Sequence, residues 1–144
     1  MVFLEKERIL KRLVLKSDLD SLKRIKKESI SISNKIFIDE EKKKDFILCI
    51  DEIFSNCILH AYKEEIGRVD VKFSIDKKYL KVNIKDYGIG IPIRYTRERP
   101  KLCNDVLCES GKGLFIVNNI CDKLDIKHNE VSGTEVVIYF KKED

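Results

Sequence analysis

A carboxylate, an amide and an imidazole recur at four-residue intervals in the stretch CIDEIFSNCILHAY, residues 49–62. They belong to Glu52, Asn56 and His60. Side chains four residues apart are neighbours on an α-helix, so the three would form a row along one side of it. An amide oxygen can bind Mg²⁺, and a carboxylate one turn away could accept a proton from an attacking hydroxyl group. The polar boundary of any amphipathic helix gives a similar row.

An acid followed by two glycines occurs in IKDYGIGIP, residues 84–92. Gly88 and Gly90 allow positive φ and a close approach of the backbone to a ligand. An ionised Asp86 only accepts hydrogen bonds, so it suits a ligand edge with an amino donor, such as adenine. A D-x-G-x-G pattern alone also fits a glycine turn with a capping aspartate, and it is not the G-x-G-x-x-G dinucleotide motif.

The third motif is the glycine-rich stretch ESGKGLFIV, residues 109–117, which enters a helical pattern. Exposed backbone N–H groups and the helix dipole make such a helix start a natural phosphate site, and Lys112 would add positive charge. The stretch is not a P-loop, because G-x-x-x-x-G-K-[ST] is absent. An ordinary loop before a helix would look the same.

The remaining periodicity predicts the elements that would position these residues. Strands are predicted at 8–16, 68–76 and 79–85, with two more within 124–141, and helices at 18–36, 39–62 and 111–124. Both prolines fall in residues 92–110, which have little periodicity and predict a lid or binding segment. The order predicts an α+β fold, a two-layer sandwich in which helices cover one face of a mixed, mostly antiparallel sheet.

Composition predicts one globular domain over residues 1–144, with 43% hydrophobic residues and a net charge of +4. The lysine clusters at 23–27 and 42–44 have helical spacing and favour solvated helix faces over nucleic-acid binding. The five cysteines lack a C-x-x-C pair, which indicates reduced thiols in a cytoplasmic protein. A charged N-terminus and the absence of an apolar run of about 18 residues predict neither a signal peptide nor a membrane span.

Together, and in this chain order, the three motifs resemble those of the GHKL (Bergerat-fold) ATPases over about residues 8–141. The matching positions are Glu52 and Asn56 of the N box, Asp86, Gly88, Gly90 and Ile91 of the G1 box, Gly111, Gly113 and Leu114 of the G2 box, and Gly133 and Thr134 of the final box. The pattern E-x-x-x-N-x-x-x-H followed by Ala61 and Tyr62 resembles the anti-sigma factor serine kinases of bacteria.

The resemblance implies a site for ATP and Mg²⁺. In it, Asp86 would bind the adenine amino group, Thr134 would support the adenine pocket, Asn56 would hold Mg²⁺, and Glu52 would be the general base. The implied nucleotide-binding residues are Asn56, His60, Asp86, Gly88, Gly90, Ile91, Gly111, Lys112, Gly113, Leu114 and Thr134. The phosphates would be wrapped by a lid over about residues 92–112. The residues of this lid that could reach the γ-phosphate are Arg94, Arg97, Arg99 and Lys112.

The same resemblance implies a serine/threonine protein kinase that phosphorylates an anti-sigma factor antagonist and sequesters a sigma factor, as a homodimer in the cytoplasm. Two alternatives remain. A histidine-kinase ATPase domain would need a phosphoacceptor histidine on a separate helix, whereas His60 and His128 are the only histidines. A nucleotide-binding switch would bind its partner without phosphorylating it, and the carboxylate of Glu52 argues for catalysis instead.

Overall fold

The computed structural model describes residues 6–61, 65–88, 108–128 and 133–143, with the side chains of residues 60, 61 and 108–112 outside the description. The strands are β1 (Arg8–Lys16), β2 (Arg68–Ile75), β3 (Tyr79–Asp86), β4 (Lys123–His128) and β5 (Thr134–Lys141). The helices are α1 (Leu19–Ile36), α2 (Glu40–Asn56) and α3 (Cys108–Ile120), and a π-helical turn (Cys57–Ala61) follows α2. The predicted order of strands and helices is confirmed.

The five strands form one sheet in the order β1-β2-β3-β5-β4, and each neighbouring pair is antiparallel. Side chains alternate between the two faces of a strand, so cross-strand rows gather apolar residues on one face. One such row consists of Leu13, Val71, Ile84, Val136 and Ile126. This face packs with the helices in a single apolar core, which confirms the α+β class and the predicted two layers.

The centre of the core is an aromatic cluster that joins α2 to the sheet. The Phe46 ring of α2 is fully buried, with centroids 6.0 Å from Phe37, 6.4 Å from Phe73 and 5.5 Å from Phe140. Edge-to-face contacts of this kind add about 0.5–1.5 kcal/mol beyond burial. The cluster therefore fixes α2, the helix that carries Glu52 and Asn56, against β2 and β5.

The end of α2 differs from the prediction. Regular α-helix was expected to about Tyr62, but it ends at Asn56, and the backbone widens into the π-helical turn. A π-helical turn has more residues per turn than an α-helix, so the regular α-helical spacing of α2 ends at Asn56. The sequence pattern gives no sign of this change, because the apolar spacing continues through Ile58.

The bounds of α3 also differ from the predicted 111–124. The helix begins at Cys108, three residues earlier than predicted, so Gly111 and Gly113 lie within its first two turns rather than at its first residues. It ends at Ile120 because Leu124 pairs with Ile138 of β5, and Ile126 pairs with Val136, which makes 123–128 a strand.

Most of the predicted lid lies outside the described residues. The lid positions concerned include Arg94, Arg97 and Arg99, and Gly90 and Ile91, which precede the lid, also lie outside the described residues. Within the described ranges, no helix is both long enough and apolar enough to span a membrane. The cysteines whose side chains are described, Cys49, Cys57 and Cys121, are free thiols, as predicted.

Candidate functional site

One end of the site is the carboxylate of Asp86, the last residue of β3. Asp86 follows Leu80, Val82 and Ile84 on the core face of the strand and is only 6% exposed. Its Oδ1 accepts hydrogen bonds from the Gly88 N–H at 3.1 Å and from the Thr134 N–H at 3.3 Å. A buried carboxylate thus lies where the end of β3 meets the beginning of β5.

The surroundings of Asp86 have opposing effects on its pKa. Burial raises the pKa of Asp86, whereas the N–H groups of Gly88 and Thr134 and the nearby His128 act to lower it, and burial outweighs them. His128 is the cross-strand partner of Thr134 in β4. An additional donor, such as the amino group of a ligand, would stabilise the ionised form of this carboxylate.

Gly133 lets β5 approach Asp86 as closely as it does. Its φ is 87°, in the left-handed region that favours glycine. A Cβ at this position would be 2.1 Å from the Asp86 carbonyl oxygen and 2.7 Å from the Tyr87 Cα. Both the backbone conformation at position 133 and the close backbone contact therefore require glycine. The contact places the Thr134 N–H within hydrogen-bonding distance of Asp86.

The other end of the site lies between α2 and α3. A Cβ added to Gly113 of α3 would be 2.9 Å from the Glu52 Oε2. It would also be 3.4 Å from the Asn56 Nδ2 and 3.5 Å from the Asn56 Oδ1. The structure thus brings the carboxylate and the amide of the first motif into contact with a glycine of the third.

The π-helical turn connects the two ends. Cys57 is buried, directly follows Asn56, and begins this turn. Burial raises the pKa of the Cys57 thiol, and the neighbouring negative charge of Asp86 raises it further. The interaction shows that the start of the turn is near Asp86, so the amide of Asn56 and the buried carboxylate belong to one region.

These residues fit a nucleotide with a hard cation. Oxygen is the ligand atom that Mg²⁺ prefers, and Glu52 and Asn56 both present side-chain oxygens. Gly113 faces both side chains where any larger residue would touch them. A cluster of His, Cys, Asp and Glu side chains would indicate a cation site made by the protein alone, but the described part of the chain contains none.

The structure assembles seven of the predicted residues into two groups. They are Glu52, Asn56, Gly113 and Leu114 at one end, and Asp86, Gly88 and Thr134 at the other. Leu114 is 1% exposed. The side chains of His60 and Lys112 lie outside the described residues, as do Gly90 and Ile91, whereas Gly111 is placed only as part of the α3 backbone.

The close contact of Gly133 with the backbone of residues 86 and 87 was not predicted from the sequence. A glycine directly before a strand was the available signal, since such a residue often marks a close backbone approach. The sequence assigns no role to Tyr87, which is marked only by its place between Asp86 and Gly88.

Comparison with known proteins gives a consistent picture. The model of the histidine kinase-like ATPase domain family matches residues 15–140. The serine-protein kinase RsbW of Bacillus mycoides is 25% identical over 117 residues, which cover 78% of this chain and 73% of the relative. The same-named protein of Bacillus cereus is 24% identical over the same shares.

Two solved structures share the fold. The RsbU and RsbW domains of a Mycobacterium tuberculosis protein superpose with a TM-score of 0.65 at 14% identity, covering 93% of this chain and 33% of that one. This chain thus spans about a third of that two-domain chain. A mycobacterial sensor histidine kinase, MprB, gives a TM-score of 0.60 at 16% identity, covering 92% of this chain and 99% of the other.

Proposed function

The chain belongs to the histidine kinase-like ATPase family, and we propose that it is an ATP- and Mg²⁺-dependent protein-serine/threonine kinase acting as an anti-sigma factor. Its substrate would be an anti-sigma factor antagonist, and its other partner a sigma factor. The names of the RsbW relatives support serine-protein kinase activity. The contact of Gly113 with both Glu52 and Asn56 is the observation that carries the proposal, because it brings the proposed base and the proposed metal ligand together beside a glycine-rich helix.

At the adenine end, Asp86 would accept a hydrogen bond from the amino group of the base. Two observations support this role: the carboxylate is buried, and the backbone N–H groups of Gly88 and Thr134 hold it in place. A carboxylate fixed in this way at the end of a strand can present an acceptor to a ligand without first having to be ordered. Thr134, which is fully buried, would complete this end of the pocket.

At the phosphate end, Asn56 would hold Mg²⁺ through its amide oxygen, and the bound cation would neutralise charge on the phosphates. Glu52 would accept the proton of the serine hydroxyl group, which requires a carboxylate one helical turn from the metal ligand. The turn of α2 between Glu52 and Asn56 provides this spacing. A well-placed general base contributes about 10²–10⁴-fold to the rate.

The partner proteins follow from the resemblance of the N box and from the RsbW relatives. Phosphorylation of the antagonist would end its hold on the kinase and leave the kinase able to sequester the sigma factor. We also propose that the protein works as a homodimer.

The test is transfer of label from γ-labelled ATP to an antagonist-type protein encoded in the same genome. Label on a serine or threonine of that protein is expected with the wild type. Glu52→Gln should keep Mg-ATP binding within about threefold and reduce transfer by about 10²-fold or more. The neighbouring acid of α2 provides a matched control, because Asp51→Asn removes the same charge from the adjacent position and should leave transfer unchanged.

The other outcomes distinguish the alternatives. ATP binding with no transfer to any candidate would support a nucleotide-binding switch. Acid-labile label on a histidine would support a histidine kinase. Undiminished transfer by Glu52→Gln would remove Glu52 from the role of base.

A further inference from the structure

Tyr87 lies on the opposite face of the sheet from Asp86, although the two residues are consecutive. Asp86 is 6% exposed on the core face, whereas Tyr87 is 38% exposed on the outer face. Because successive side chains of an extended chain point in opposite directions, an anchor on the Tyr87 side chain also restricts the direction of the Asp86 carboxylate.

Three charged side chains of β2 and β3 hold the Tyr87 ring, and we call Arg68, Asp70 and Lys85 the Tyr87 clamp. The Tyr87 hydroxyl donates a hydrogen bond of 2.5 Å to the Asp70 Oδ2. The Arg68 Nε donates to the other oxygen of the same carboxylate, Oδ1, at 2.7 Å. The Arg68 guanidinium carbon lies 5.7 Å and the Lys85 Nζ 5.2 Å from the centroid of the ring, within the range of cation–π attraction.

The carboxylate of the clamp is held in its ionised form. Partial burial alone would raise the pKa of Asp70, but the hydrogen bonds from Arg68 and Tyr87 outweigh it, with help from the charge of Lys85, and the pKa is lowered. Asp70 therefore remains a charged acceptor for the Tyr87 hydroxyl at neutral pH, and hydrogen bonds to charged groups are among the stronger ones.

The clamp holds the chain just beyond the point where the backbone pairing of β3 ends. The β2–β3 ladder ends with the pair Val69 and Asp86, and the β3–β5 ladder ends with the pair Lys85 and Glu135. Tyr87 is thus the first residue beyond both ladders, and its side-chain contacts extend the order of β3 by one residue. On its other side, the backbone of Tyr87 is in contact with Gly133.

We propose that Tyr87 is a positioning residue for nucleotide recognition: held by its clamp, it fixes the orientation of Asp86 and so strengthens the selection of bases that carry an amino donor. The inference rests on the proposed function, because it takes Asp86 as the residue that binds the amino group of adenine. The clamp itself touches the outer face of the sheet and would not contact the nucleotide.

The test compares the affinities for ATP and for inosine triphosphate, in which an oxo group replaces the amino group. Tyr87→Phe keeps the ring and removes the hydrogen bond to Asp70. It should weaken ATP binding by about three- to tenfold and change inosine triphosphate binding by less than about twofold. Isothermal titration calorimetry measures both constants.

The same face of the sheet offers a matched control. The Tyr139 hydroxyl donates to the Asp125 Oδ2 at 3.2 Å, a second tyrosine–aspartate hydrogen bond between neighbouring strands. Tyr139→Phe should leave both affinities unchanged. Thermal melts of the two variants should show similar shifts, which separates positioning from a general loss of stability.

Each outcome separates the role of Asp86 from that of the clamp. A wild-type protein that binds no ATP, or that binds inosine triphosphate equally well, overturns the adenine role of Asp86 and the clamp with it. A selective wild type with an unchanged ratio in Tyr87→Phe overturns the clamp alone, as does an equal loss for both nucleotides. If Tyr87→Phe does not fold, Asp70→Asn, which keeps the tyrosine, is judged by the same ratio.

Discussion

Replacing Gly113 by alanine should separate the stability of the protein from its activity. Gly113 lies inside α3, where alanine is the better helix former by about 0.5–1 kcal/mol. The added methyl group would be 2.9 Å from the Glu52 Oε2, and ordinary contact begins at 3.4 Å, so the carboxylate must move by the difference, 0.5 Å. The atom that moves is the end of a flexible side chain, so this displacement costs little stability.

The same displacement acts directly on the proposed chemistry. A misplacement of about 1 Å can reduce a rate by about 10²-fold, so a movement of half that size predicts a loss of about tenfold or more in phosphoryl transfer. The added methyl group would lie 3.4 Å from the Asn56 Nδ2 and 3.5 Å from the Asn56 Oδ1, so this side chain needs only a small adjustment. The affinity for Mg-ATP should therefore fall by less than about tenfold, and the melting temperature should rise by about 1–4 °C.

Thermal melting, calorimetric titration with Mg-ATP and a transfer assay test the three parts of this prediction on one preparation. Asn119→Ala is the control, because it changes an exposed position of the same helix, where the gain in helix propensity is offset by the loss of the hydrogen bond that the Asn119 Nδ2 donates to the Phe115 carbonyl oxygen at 2.7 Å. It should change the melting temperature little and leave binding and transfer unchanged. Transfer by Gly113→Ala within twofold of the wild type would contradict the proposed dependence of transfer on the position of the Glu52 carboxylate. A marked fall in melting temperature would show that the Glu52 side chain cannot move away from the added methyl group.

Three further substitutions test other parts of the structure. Gly133→Ala should destabilise the protein by about 2 kcal/mol or more and abolish ATP binding, because the φ of residue 133 is 87° and the added Cβ would meet the Asp86 carbonyl oxygen. Chemical denaturation measures the stability and calorimetry the binding, and a stable variant that binds ATP would contradict this prediction. Asp86→Asn should lose ATP affinity while gaining stability at neutral pH. The folded pKa of Asp86 is raised above its ordinary 3.8, so the wild type loses stability as pH rises through the folded pKa, and the gain should vanish in denaturation measured below about pH 4; a gain that persists there would contradict this account of the buried charge. Phe46→Ala should cost about 3–5 kcal/mol by opening a cavity in the aromatic cluster, and a loss below about 1 kcal/mol in denaturant melts would show that the cluster repacks.

The sheet and the place of Asp86 could be predicted from the sequence because both depend on a local rule. Alternation in YLKVNIKD assigns Leu80, Val82, Ile84 and Asp86 to one face, and the structure buries all four. A charged residue that ends such a row must be buried with hydrogen bonds, since an unpaired buried charge is very costly. The alternation alone therefore makes the acid a candidate binding residue.

The contact between Gly113 and Glu52 could not be derived from spacing. The two residues are 61 positions apart, and their distance depends on how α3 packs against α2 rather than on any period within either helix. The widening of the backbone after Asn56 was equally hidden, because the i+4 rule that predicted a place for His60 assumes a regular helix. The resemblance to a family supplied the grouping of the motifs, whereas periodicity alone left them separate.

One glycine, Gly113, and one buried acid, Asp86, lower the stability of the fold at the site. Gly113 replaces a better helix former, and Asp86 carries a charge whose burial raises its pKa. Both residues should be improvable for stability at the expense of function, which is the expected pattern where an active site, and not the fold, requires a residue. Gly133 differs, because its backbone conformation and its contact with residue 86 are needed by the fold as well. Opposite effects on stability, gains at positions 86 and 113 and a loss at 133, would therefore distinguish residues kept for the ligand from the residue that builds the pocket.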